Sequence, residues 1–238
     1  MLKNLAIKFW SVTLAFVLFF NIPLASAAAS ELFGTSLYND ANLVSYYRLS
    51  DENDAKGSNN LTNVNSVTFT SGLFVTSSNH GSTANPQKYL KTTSVYGLNG
   101  TTASTYIYWV KLLNTYTGTQ AASLAEFSIL NHYFLEMYYE NNNGTPRVGV
   151  DVYAADIDTN QYVNVNLNDS AWHLVAFTFD GSNTKKLYVD NLTPLTITNG
   201  GSHDYTQVSQ TWLGSDLYRT TGANSLGGQL DDVAIFSR

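Results

Sequence analysis

The sequence predicts an all-β protein in which two antiparallel sheets pack as a sandwich or jelly roll. Short runs rich in β-branched and aromatic residues recur along it, with turn-forming clusters every eight to twelve residues. Its best-defined pair of runs, 172–179 and 186–190, flanks Asp180, Gly181, Ser182 and Asn183 and reads as a hairpin. Leu187 and Val189 point one way from the second run and Lys186, Tyr188 and Asp190 the other, so one face can be buried and one wet. No stretch longer than ten residues carries a helical apolar stripe.

In chain order, Lys3 and Lys8 precede an apolar run from Phe9 to Phe20, Pro23 breaks it, and Ala25-Ser26-Ala27 follows. This is the pattern of a secretory signal peptide over 1–27, cleaved after Ala27. No later segment is long and apolar enough to cross a bilayer, so no membrane insertion is expected after processing. Residues 28–42 read as an irregular lead-in and 43–238 as one domain, without an internal repeat or linker. Strands are predicted over 43–49, 64–69, 72–75, 89–92, 105–112, 123–130, 133–139, 147–153 and 163–165. After the central hairpin come 192–198, 211–213 and 230–236. The polar stretch 51–60 is a loop, as is 77–87, where Pro86 argues against a central strand. The connection between 133–139 and 147–153 is expected to be a hairpin loop of four to seven residues. The last apolar run ends at Phe236, two residues before the final Arg238, which is compatible with a piece of a longer multidomain architecture.

Charge narrows the function. Without Lys3 and Lys8, ten basic residues face eighteen acidic ones, a net charge of −8. With no basic patch, nucleic acid is not an expected partner, and strongly acidic polysaccharides would be repelled. Cysteine is absent. An exported domain without disulfides fits a secreted or cell-surface bacterial protein better than a small disulfide-framed animal module.

Three segments carry a family resemblance. Leu43-Val-Ser-Tyr-Tyr-Arg-Leu49 is followed by the Asp54-x-x-Gly57-x-x-Asn60 loop, and Ile107-Tyr-Trp-Val-Lys111 forms a central aromatic strand. The third segment joins Trp172–Gly181 and Lys186–Asp190 to Gly228-Gln-Leu-Asp-Asp-Val-Ala-Ile-Phe236. In this order they resemble the laminin-G-like, concanavalin-A-like jelly-roll domains of bacterial extracellular proteins. The resemblance implies two face-to-face antiparallel sheets with adjacent chain ends. It also implies a structural calcium where the Asp-Gly-Asn loop meets the last strand, and a role in binding glycans, proteins or other surfaces.

Calcium takes six to eight hard oxygens. The candidates are Asp54, the Gly57 carbonyl and Asn60 from the loop, with Asp231 from the final strand. Asp231 shares strand parity with Val233 and Ile235, a core-facing register on which an unpaired carboxylate is costly. His80, His132, His173 and His203 form no short-spaced metal set. Glycoside hydrolysis needs two carboxylates flanking the scissile bond. Glu136 and Glu140 share parity but read as a solvated sheet face, so no catalytic residue is assigned.

Tyr138, Tyr153, Tyr205 and Tyr218 are the ligand-binding candidates, because polar neighbours and loops can expose rings that cover the apolar faces of sugars. The expected function is non-catalytic recognition of neutral carbohydrate, with adhesion to a cell-surface protein as the alternative. Flat, tightly packed faces at Tyr138 and Tyr153 would favour the protein partner, and a groove at Tyr205 or Tyr218 the sugar.

Overall fold

A computed structural model describes residues 34, 36–81, 87–94, 96, 98, 102–116, 121–129, 132–151, 161–198, 210–215 and 225–238. The early strands are β1 (Leu43–Tyr47), β2 (Thr62–Val64), β3 (Thr68–Ser71), β4 (Thr76–Asn79) and β5 (Tyr89–Thr92). The middle of the chain supplies β6 (Ser104–Leu112), β7 (Ala121–Ile129), β8 (His132–Asn142), β9 (Thr145–Asp151) and β10 (Gln161–Asn164). The last are β11 (His173–Phe179), β12 (Lys185–Val189), β13 (Leu195–Ile197), β14 (Gln210–Leu213) and β15 (Gly228–Phe236). One sheet runs β13-β12-β11-β6-β15-β4-β3, with β1 also on β15; the other runs β10-β9-β8-β7-β14-β5-β2.

The strands form where side chains alternate between core and surface. Along β6, Tyr106, Tyr108, Val110 and Leu112 are buried and the residues between them are not. From the same sheet Val175, Phe177, Leu187 and Val189 enter the core, and Leu135, Met137, Val148, Val150 and Leu213 meet them from the other. Each such side chain contributes roughly 1.5–3 kcal/mol on burial, so the interleaved faces hold the sheets together without disulfides. Leu43 lies opposite Phe236, which brings the first and last strands together.

Three connections differ from the sequence pattern. The run 64–69 is broken by a turn in which Asn65 and Ser66 adopt positive φ, between β2 and β3. Residues 72–75 are the loop joining β3 to β4, and strand structure begins at Thr76, inside the stretch read as a loop. The β8–β9 connection is a two-residue turn, with Asn142 opposite Thr145 and positive φ at both Asn143 and Gly144. That is the Asn-Gly geometry whose twist matches the flanking strands.

Candidate functional site

The Asp54 loop is tied down by its own carboxylate. Asp54 Oδ1 accepts the amides of Tyr46, Lys56 and Gly57, each at 3.0 Å. Its Oδ2 accepts the Ser45 hydroxyl at 2.8 Å and the Asn59 amide at 3.2 Å. Burial pushes the carboxyl pKa up, but these donors outweigh it and hold the group below the usual carboxylate range. Asn60 Oδ1 takes the Asp54 amide, and a Cβ on Gly57 would sit 2.8 Å from Asp54 Oδ2. Five donors on roughly four lone-pair sites engage the Asp54 carboxylate within its own loop. Asp231 makes its own hydrogen bonds elsewhere, to the Leu73 and Phe74 amides. Among the described residues no group of three or more His, Asp or Glu is set to hold a metal.

Asp231 lies in a different setting, and its predicted register is corrected. Asp231 faces Trp109 and Ala234 faces Ile107, so β15 spends one more residue than β6 across this step. The extra residue is a β-bulge with Asp232 at φ 45°. It resets the alternation: Leu230, Val233 and Ile235 enter the inter-sheet core, whereas Ala234 and Phe236 pack outside it with Leu43 and Tyr46. Asp231 therefore lies on the opposite face from Val233 and Ile235, because simple two-residue parity does not carry across the bulge. Both acids are nonetheless covered, at 1% and 5% exposure.

The bulge lies at a fork. β4 pairs with β15 at Gln229 and Leu230, and β1 takes over from Val233. Between them a cavity of about 130 Å³ is lined by Tyr46, Arg48, Ser50, the segment 74–76 and the two acids. Asp231 Oδ2 accepts the Leu73 amide at 2.7 Å and the Phe74 amide at 3.3 Å, and Asp232 Oδ1 accepts the Tyr46 hydroxyl. Burial raises the pKa of both carboxyls, Asp231 to about 7 with the Asp232 charge adding to it, and Asp232 to about 6. Only parity, which fails at the bulge, could have pointed to this cavity from the sequence.

On the outer face of the other sheet Tyr138, Gly149 and Tyr162 form one cross-strand row. Tyr138 is buried rather than exposed: its ring packs against Gly149, where a Cβ would collide with it. Tyr162 is 42% exposed. The Arg147 guanidinium lies 4.0 Å from its ring centroid and is fixed by an ion pair with Glu140. Tyr162 alternates with Val163, and Arg147 with Val148, so their outward direction is readable in the sequence; the strand starts at Gln161, two residues ahead of the expected 163. Tyr153, Tyr205 and Tyr218 lie outside the described residues.

His173 is a packing residue with a charge partner on each side. Nδ1 is 2.8 Å from Asp190 and Nε2 is 2.9 Å from Asp169, which together raise its pKa although burial opposes them.

A family model described as the concanavalin A-like lectin/glucanases superfamily, of laminin G type, matches residues 76–238. Domain 4 of AbnA, an extracellular arabinanase from Geobacillus stearothermophilus solved with arabinotriose, is 14% identical with a TM-score of 0.56. The alignment covers 84% of this chain and 94% of that domain. Botulinum neurotoxin type C, described as entering cells through two ganglioside molecules, is 10% identical with a TM-score of 0.62, over 86% of this chain. The binding domain of botulinum neurotoxin DC, solved with rat synaptotagmin II, is 9% identical with a TM-score of 0.61, over 85% of this chain. The chain spans about half the length of those toxin chains, 49% in both cases. These likenesses show a shared fold. No curated protein matches the sequence.

Proposed function

The chain belongs to the concanavalin A-like lectin/glucanases superfamily, and from that premise we propose that it is a non-catalytic, exported binding module for neutral carbohydrate. The observation that carries the reading is the Tyr162 shelf. An exposed ring is backed by a guanidinium at 4.0 Å, and that guanidinium is itself fixed by Glu140. A sugar ring offers an apolar face to the tyrosine and hydroxyls to the charged pair, and a small number of placed polar groups around an aromatic wall is how such sites orient ligands. The pairing of Arg147 with Glu140 leaves the shelf close to neutral, which suits a neutral glycan better than an acidic one. The arabinotriose complex of the AbnA domain and the gangliosides named for the toxin support a carbohydrate ligand by analogy of fold alone.

One observation favours a second reading, a protein-binding adhesive surface: Tyr138 is packed tightly against Gly149 instead of standing free. A synaptotagmin complex is known for a neighbour of the same fold. A broad glycan array, run with and without calcium, separates the two. Reproducible binding to neutral glycans is expected. Binding to protein partners with no glycan signal in either condition would select the adhesive reading, and release of products from a polysaccharide would contradict the non-catalytic one.

A further inference from the structure

We propose that the cavity at the β15 fork is a second ligand site, taking one neutral polyhydroxylated group such as the end unit of a glycan chain. It lies on the outer face of the eight-stranded sheet, across the sandwich from Tyr162, so the module would hold two ligands at once. The ligand class rests on the carbohydrate reading; the site itself rests on the cavity.

The lining selects against other chemistries. An anion would meet Asp231 and Asp232, a cation would meet Arg48, and an apolar group would strand Ser50, Thr76 and both acids. A polyol answers all of them, accepting from Arg48 and donating to the carboxylates, with Phe74 and the 66%-exposed Val75 as an apolar wall. The Asp231 carboxyl is held by the Leu73, Phe74 and Asp232 amides, and Asp232 Oδ1 by the Tyr46 hydroxyl, while Asp232 Oδ2 accepts no side-chain hydrogen bond among the described residues. The acceptors are thus positioned before a ligand arrives. Gly72 permits the close approach, since a Cβ there would run into Asp231 Oδ2. The cavity of about 130 Å³ is well above the roughly 10–15 Å³ that one water needs, so it has room for part of a sugar unit.

Affinity electrophoresis of the processed protein through gels containing arabinan, xylan, mixed-linkage β-glucan or mannan tests this. The variants are Val75→Asp at the exposed rim, Asp232→Asn, Tyr162→Ala and the combination of Val75→Asp with Tyr162→Ala. Thermal melts establish that each is folded, and Val75→Asp serves if Asp232→Asn does not fold. Each single variant is expected to weaken retardation about tenfold, and the combination to abolish it. If Val75→Asp and Asp232→Asn migrate as wild type while Tyr162→Ala loses retardation, the cavity is not a site and the shelf stands. If the cavity variants lose retardation and Tyr162→Ala does not, the cavity stands and the shelf falls. Wild-type protein unretarded in all four gels overturns both.

Discussion

Replacing Asp54 by alanine tests whether the loop is held by hydrogen bonds or by an ion. The substitution removes an acceptor for four backbone amides and the Ser45 hydroxyl. The amides of Lys56, Gly57 and Asn59 lie in a part-buried loop and can recover water, whereas the Tyr46 amide belongs to buried β1. A hydrogen bond to a charged acceptor is worth about 1.5–3 kcal/mol and the more exposed ones less, so the loss is about 3–5 kcal/mol. At 2–4 °C per kcal/mol for a domain of this size, Tm falls by about 10 °C. Urea denaturation of wild type and Asp54→Ala, each with and without a chelator, reads the effect. Asp54→Ala is expected to be destabilised by that amount in both conditions. A loss below 1 kcal/mol would refute the hydrogen-bond account. So would a wild type that drops to the level of Asp54→Ala on chelation, because the carboxylate would then be a metal ligand.

His173, whose folded pKa is raised above the ordinary 6.5, contributes stability that is full below pH 6.5 and is lost as pH rises through the folded value. Urea midpoints from pH 5 to 9 should fall across that window in wild type and stay flatter in His173→Gln; parallel profiles would contradict the pairing with Asp169 and Asp190. Gly149→Ala should cost about 1–3 kcal/mol by forcing the Tyr138 ring off the backbone, and an unchanged urea midpoint would mean that the ring is not packed there. Gly144→Ala, at φ 87° in the β8–β9 turn and with open space around it, should cost about 1–2 kcal/mol from backbone conformation alone; a neutral result would contradict the Asn-Gly turn.

The sandwich was legible because its strands alternate. β6 reads inward at every second residue from Tyr106 to Leu112, and Leu187 and Val189 face inward as their parity requires. The edge of the eight-stranded sheet was less legible. Leu73, Phe74 and Val75 have strand composition but serve as a lid over Asp231, while the polar Thr76–Asn79 pairs with β15. Composition does not separate an apolar loop that covers a carboxylate from a strand. The bulge hid the cavity for a related reason: one inserted residue leaves composition unchanged yet turns Asp231 away from Val233 and Ile235. The Asp54 loop was found as a motif, but its carboxylate spends its acceptors on the chain itself. Motif spacing does not reveal how many amides a carboxylate already holds.

The carbohydrate claim is tested most directly by the affinity of wild type, Tyr162→Phe and Tyr162→Ala for the strongest neutral glycan from the array, measured by calorimetry. Tyr162 is 42% exposed, so covering its open edge removes about 60 Å² of apolar surface from water, worth about 1.5 kcal/mol at 25 cal/mol per Å², or roughly tenfold in Kd. Tyr162→Phe keeps the ring and should bind within a few-fold of wild type, while Tyr162→Ala should lose roughly tenfold. Equal affinity of Tyr162→Ala and wild type would contradict the Tyr162 shelf as the carbohydrate site.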